Sequence, residues 1–119
     1  MASHNDLGNQ GEIMAKEFLQ NHGYTILEQN WRFKKAEIDL IALKNNVLAV
    51  VEVKTRTSDY FGNPQDFVNK KKIALLVAAV NEYVNSKDLD VEVRFDIIAI
   101  LKNKTTQSIE HLKNAFLHF

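Results

Sequence analysis

The chain contains no cysteine. That excludes a disulfide scaffold, a thiolate-held zinc and a thiol nucleophile. It has a single proline, Pro64, and only four glycines, three of them (Gly8, Gly11, Gly23) near the start. No linker, repeat or low-complexity stretch interrupts it, so one domain over residues 1–119 is expected. No apolar run approaches the roughly 20 residues a membrane-spanning helix needs. The opening Met-Ala-Ser-His-Asn-Asp has neither the basic nor the apolar region of a secretory signal, so a cytoplasmic protein away from membranes is expected. There is no excess of either charge, with 15 Lys and Arg against 15 Asp and Glu, so a global polyelectrolyte role, such as a histone-like coat on nucleic acid, finds no support. No Gly-rich phosphate loop follows a strand, no serine sits in an elbow motif, and His4, His22, His111 and His118 are dispersed. Nucleotide hydrolysis of the usual kinds thus finds no support.

What is present is a normal core composition, 45% hydrophobic and 25% charged over 119 residues. The bases are unevenly spread. Residues 31–72 carry nine bases and five acids, whereas residues 1–30 carry one base and four acids. A polyanion would meet the middle of the chain, where the plain alternative is a solvated basic face.

Hydrophobic periodicity orders the chain as α-β-β-β-α-β with a mixed sheet. A helix over residues 5–22 places Leu7, Met14, Ala15, Phe18 and Leu19 on one side, with Gly23 as its stop. Gly8 and Gly11 lie toward the same side and would let that helix approach the sheet. Strands are expected at 24–33, 36–44 and 47–55, and Asn45-Asn46 suits a two-residue hairpin because asparagine tolerates positive φ. After a loop over 56–66 comes a helix over 66–86, presenting Ile73, Leu76, Val77, Val80 and Val84. Residues 91–101 suit a strand covered on both faces, and 104–119 an edge strand followed by a helical turn.

The hairpin carries the chemistry. A two-residue turn at Asn45-Asn46 pairs Ile38 with Val53, Leu40 with Val51 and Ala42 with Ala49, an apolar side throughout. On the other side Leu43 faces Leu48 and Ile41 faces Val50; then Asp39 faces Glu52 and Glu37 faces Lys54. Two carboxylates thus meet across a strand pair with Cβ atoms about 5 Å apart, an unfavourable juxtaposition. Three things can relieve it: protonation of one carboxyl, a basic side chain between them, or a divalent cation bound by both. Hard carboxylate oxygens suit Mg²⁺ or Mn²⁺. Lys54 projects from the same face as Glu52 and can orient a water or stabilise developing charge. Glu12, at the edge of the first helix's apolar stripe, either snorkels to water or adds a third carboxylate.

Other residues suit phosphate contact. Arg56 follows on the Lys54 face. Lys70, Lys71 and Lys72 fall early in the second long helix, where cations oppose the macrodipole. Arg32, Lys34 and Lys35 form a second basic group. Trp31, Phe33, Tyr60 and Phe61 can stack on bases; core packing is the better account of Trp31 and Phe33, whereas packing explains Tyr60 and Phe61, in a polar loop, less easily.

Gly11-Glu12, Ala36-Glu37-Ile38-Asp39-Leu40-Ile41, Val51-Glu52-Val53-Lys54-Thr55-Arg56 and Arg94-Phe95-Asp96 together resemble the YraN-like family, small bacterial proteins assigned to the PD-(D/E)xK nuclease superfamily. The likeness runs from Gly8 to the Asn-Ala-Phe at 114–116; one departure is Ala36, where the family usually has glycine. It implies an α/β fold with a restriction-endonuclease-like αβββαβ core, a mixed central sheet flanked by helices, similar to Holliday junction resolvases. It also implies that Asp39, Glu52 and Lys54 form the superfamily's catalytic signature, that Glu12 is the first-helix acid, and that Lys72 is the basic residue following Val68 in the second helix. The expected activity is then metal-dependent endonucleolytic hydrolysis of nucleic-acid phosphodiesters, with DNA favoured and branched substrates included. Asp39, Glu52, the Val53 carbonyl and Glu12 would hold Mg²⁺ or Mn²⁺, Lys54 would position water, and Arg56, Lys70, Lys71, Lys72, Arg32 and Lys34 would hold the backbone. A twofold homodimer would suit a junction substrate. The alternative is a catalytically inactive nucleic-acid-binding module or partner subunit.

Overall fold

The computed structural model describes residues 4–57 and 69–115. The element order is α1 (His4–Asn21), β1 (Thr25–Phe33), β2 (Ala36–Lys44), β3 (Val47–Arg56), α2 (Lys70–Ser86), β4 (Glu92–Lys102) and β5 (Gln107–Leu112). The strands form one mixed sheet in the order β1-β2-β3-β4-β5. All neighbours are antiparallel except β3 and β4, which run parallel because α2 carries the chain back between them. This is the expected α/β architecture with β5 added as an edge strand; the turn after it occupies residues 113–115.

The two faces of the sheet read directly from alternation along β3. Ala49 and Val51 pack with Ala15 and Leu19 of α1, together with Leu40, Ala42, Ile98 and Ile100. Leu48 and Val50 pack with Leu76, Ala79, Val80 and Tyr83 of α2, together with Ile41 and Ile97. Burying about 1.5–3 kcal/mol of side chain at each such position orders the three layers.

α1 ends as anticipated. Gly23 takes φ +88°, and the Tyr24 N–H donates to Leu19 O at 2.9 Å, the six-to-one bond of a glycine-terminated helix. Lys44 Nζ donates to His22 O at 2.7 Å and covers the same end.

The two early glycines differ. A Cβ on Gly11 would collide with Thr55 of β3, whereas Gly8 has nothing within 4 Å of that position. The expectation of close approach therefore holds for Gly11 and not for Gly8. Gly11→Ala should lose about 1–3 kcal/mol through overpacking, while Gly8→Ala should gain up to about 1 kcal/mol of helix propensity. Urea denaturation of the two variants checks this; equal effects would contradict the close packing of α1 on β3.

α2 departs from expectation in two ways. It begins at Lys70, because Asn69 is extended (φ −114°, ψ 173°) and its side chain accepts the Lys72 N–H. The expected start at Asp66, Val68 after it, and the loop with Tyr60 and Phe61 lie outside the described residues. The buried stripe is also rotated toward Tyr83: Leu76, Ala79, Val80 and Tyr83 are buried, Ile73 and Val84 pack against the same core as expected, and Val77 is exposed. Tyr83 explains the rotation. Its ring meets Trp31 edge-on at 5.2 Å, and its hydroxyl donates to Glu28 Oε2 at 3.2 Å. Trp31 and Phe33 lie against this core with near-parallel rings.

Candidate functional site

The site forms where β2 and β3 part. Asn45 and Asn46 both take positive φ, and the ladder follows the expected register from Lys44 and Val47 to Leu40 and Val51. There it stops. The expected direct pairs Asp39–Glu52, Ile38–Val53 and Glu37–Lys54 are not part of the ladder. Instead the Val53 N–H donates to Asp39 Oδ2 at 2.8 Å, so a carboxylate takes the place of a backbone acceptor. The pleat slips at the same point. Ile38 packs with the α2 layer and Leu40 with the α1 layer, although residues two apart in a regular strand share a face. The apolar side expected to run unbroken through Ile38 is therefore interrupted at Asp39.

Asn30 stands beside this slip. It lies between Gln29 and Trp31, the partners of Leu40 and Ile38, and takes φ +51°. Its side chain also hydrogen-bonds Glu12. Sequence reasoning passed over Asn30; an asparagine inside an otherwise regular strand was the available signal.

Four acids share this region. The Asp39 carboxyl is pushed up to about 7, first by burial, then by the Glu52 charge; the Val53 N–H pulls the other way, and Glu12 and Glu37 add repulsion. Glu12 is raised as well, chiefly by burial, with Asn30 opposing and Glu37 and Glu52 contributing. Glu52, buried, is treated differently: Lys72 Nζ lies 2.6 Å and Lys54 Nζ 3.2 Å from its Oε1. Protonation at Asp39 and ammonium groups at Glu52 are thus two of the three anticipated forms of relief.

The donor set fits the third as well. Asp39 and Glu52 present hard oxygens on diverging strands; both lysine contacts fall on one oxygen of Glu52, while Asp39 accepts the Val53 N–H and feels the repulsion of Glu52, Glu12 and Glu37. Among the described residues no three or more His, Asp or Glu side chains stand close enough together to hold a metal ion. The expected trio of Glu12, Asp39 and Glu52 is therefore not gathered in advance.

The other anticipated residues fall as follows. Lys54 lies on the Glu52 face, as expected. Arg56, half-buried, donates from Nη1 to Thr55 O at 3.1 Å. Lys70 and Lys71 are exposed in the first turn of α2, a turn with no acid in it. Lys34, exposed, reaches over the Phe33 ring at 5.3 Å. Arg32 is engaged: its Nε pairs with Glu37 Oε2 at 2.7 Å across β1 and β2.

A second polar cluster was not foreseen. Asp96, 0% exposed, accepts from Arg94 Nε and Nη2 at 2.8–3.1 Å. It also accepts the Asn114 N–H at 3.2 Å and lies 2.8 Å from His111 Nε2. Arg94 Nη2 donates in turn to the Tyr24 hydroxyl at 2.6 Å. Tyr24, Arg94, Asp96 and His111 are scattered through the sequence, and only Arg94-Phe95-Asp96 hinted at them.

A mixed five-stranded sheet between two helices, with acids and lysines where its second and third strands diverge, is an α/β domain consistent with a restriction-endonuclease-like core. The profile of the family described as "Uncharacterised protein family UPF0102" matches residues 11–100. The chain belongs to this family, the YraN family whose motifs it carries. Similar UPF0102 proteins occur in Flavobacterium psychrophilum (63% identical over the whole of both chains), Christiangramia forsetii (57%, likewise) and Parabacteroides distasonis (45% over 98% of this chain and 96% of the relative). No helix among the described residues is long and apolar enough to cross a membrane.

Proposed function

We propose that the protein is a Mg²⁺- or Mn²⁺-dependent nuclease acting on nucleic-acid phosphodiesters, DNA foremost and branched forms among them. The observation that carries this reading is Asp39: a half-buried carboxyl held by the Val53 N–H, with the charges of Glu52, Glu12 and Glu37 raising it. A neutral acceptor would serve the Val53 N–H without the charge, whereas cation binding needs the charge. Asp39 and Glu52 would hold the ion, with the Val53 carbonyl and with Glu12 directly or through water. When bound, the ion supplies Lewis-acid stabilisation of charge developing on the phosphate.

The remaining roles belong to the chain itself. Lys54, fixed beside Glu52, orients water toward the phosphorus and stabilises negative charge. Arg56, Lys70, Lys71 and Lys72 neutralise phosphates on the α2 side; Lys34 extends this surface along the β1–β2 turn, and Arg32 would add to it on leaving Glu37. A twofold dimer would present two such sites to the two strands of a junction.

Junction, flap and single-stranded substrates with Mg²⁺ or Mn²⁺ test the reading. Asp39→Ala should cleave at least about a hundredfold more slowly than wild type. Equal cleavage by the two would exclude this site as the source of activity.

One observation favours a second reading, a binding module without catalysis: Glu52 is already satisfied by two ammonium groups. Under that reading nucleic-acid binding falls steeply with salt and survives EDTA. Binding abolished by chelation and restored by Mn²⁺ would eliminate it.

A further inference from the structure

The two lysines on Glu52 are not equivalent. Lys54 is two residues along the same strand, so the pleat alone brings it to Glu52. Lys72 crosses from the other layer, from the first turn of α2. There it is the third of three consecutive lysines in a turn with no acid, an arrangement that runs against the helix macrodipole. The Asn69 side chain caps the Lys72 N–H, and this cap works equally well with any residue at that position. What requires a cation at position 72 is the 2.6 Å bond to Glu52. The Lys72 side chain is 34% exposed, against 9% for Glu52, so its head group borders water while its partner does not. The ammonium can leave without unpacking the core; the carboxylate cannot.

The neutralisation is also one-sided. Both ammoniums meet Oε1 of Glu52, and Asp39 is met by the Val53 N–H. A single divalent cation between the two acids would relieve both, and would repel an ammonium 2.6 Å from one of its ligands.

We infer that Lys72 is a displaceable internal counter-ion: it holds Glu52 while no divalent cation is bound, and a cation taken by Asp39 and Glu52 releases it toward a nucleic-acid phosphate. This rests on the reading of Asp39 and Glu52 as a cation site. A flexible, compact ammonium suits the role better than a rigid guanidinium fork. Its consequence is linkage. Lys72 opposes cation binding in the free protein and joins Lys70 and Lys71 on the phosphate surface after release. Cation and nucleic acid then raise each other's affinity by one common factor.

The test measures Mn²⁺ binding without nucleic acid, by the electron paramagnetic resonance of free Mn²⁺, for wild type, Lys72→Met and Lys72→Arg. Lys72→Met should bind Mn²⁺ at least about fivefold more tightly than wild type, and Lys72→Arg, which keeps a cation on Glu52, should bind no more tightly than wild type. A second arm needs no variant to fold: acylation of Lys72 in the wild-type protein by an N-hydroxysuccinimide ester, read by peptide mass spectrometry, should speed up severalfold on saturation with Mn²⁺. If Mn²⁺ binds but affinity is unchanged in Lys72→Met and acylation is unmoved, the displacement is overturned and the cation site stands. If neither wild type nor Lys72→Met binds Mn²⁺, the cation site is overturned and the inference falls with it.

Discussion

Asp96→Asn is expected to cost the protein about 3–5 kcal/mol of stability, the penalty for removing one partner of a buried ion pair. In a chain of this size that is a melting temperature lower by roughly 15 °C. Asp96 is the hub on which Arg94, the Asn114 N–H and His111 converge, so it joins β4 to the edge strand β5 and to the turn beyond. Through Arg94 it also reaches Tyr24, at the junction of α1 and β1. Asparagine keeps the volume and removes the charge, leaving Arg94 with a hydroxyl as its main partner. The pH dependence has a definite sign. Burial pushes the Asp96 carboxyl up, but His111, Arg94 and the Asn114 N–H more than offset this and hold it below the usual carboxylate value of 3.8. Its contribution is therefore full above about pH 4 and is lost as pH falls through the depressed folded value. Wild type should lose stability on acidification in that window, and Asp96→Asn should lack that component. Replacing both charges, as Arg94→Met with Asp96→Leu, should recover part of the loss, because no orphaned charge remains. A denaturation midpoint for Asp96→Asn within 1 kcal/mol of wild type would show that the network is not what holds β5 in place.

The hairpin shows how far the sequence could be read. Alternating apolar residues on both sides of Asn45-Asn46 determined the register down to Leu40 and Val51, because a slip by one residue would turn Leu48 and Val50 to the wrong layer. Beyond that, periodicity carried no information about where a side chain replaces the backbone as acceptor. The Asp39 carboxylate captures the Val53 N–H, the ladder ends, and the strands part just where the acids sit. The juxtaposition of Asp39 and Glu52 was legible as a like-charge pair; the slip of the pleat and the left-handed Asn30 beside it were not. The rotation of α2 escaped for a related reason. Tyr83 is selected by Trp31 and Glu28 on β1, contacts between residues some fifty positions apart that a helical wheel cannot contain. The role of Asp96 was hidden despite the Arg94-Phe95-Asp96 motif, since His111 and Asn114, which complete its network, come from later segments that periodicity does not join to it.

Asp39→Asn should make the protein more stable at pH 8 in EDTA, and should at the same time remove the stabilisation that Mn²⁺ gives to wild type. The reason lies in the direction of the Asp39 shift. An acid with an ordinary value of 3.8 is held at about 7 in the folded state, by burial first and by Glu52 next. Between these values the folded protein binds a proton that the unfolded chain has released, so stability falls as pH rises from about 4 to about 7 and stays low above it. The full shift corresponds to a ceiling of about 4 kcal/mol, and solvent at a half-buried site reduces this to about 2 kcal/mol. Asparagine keeps an acceptor for the Val53 N–H and carries no charge to desolvate. The variant's stability should therefore be nearly flat across this window where wild type declines, and at pH 8 it should melt several degrees higher. Under the proposed cation site, added Mn²⁺ should offset the same repulsion in wild type and find no charge at position 39 in the variant. Thermal unfolding at pH 5, 6.5 and 8, with EDTA and with Mn²⁺, separates the terms. If Asp39→Asn melts below wild type at pH 8 in EDTA, Asp39 serves the fold, and its retention no longer calls for a cation. If it melts higher and ignores Mn²⁺, the carboxylate is kept against stability, as a residue selected for binding would be.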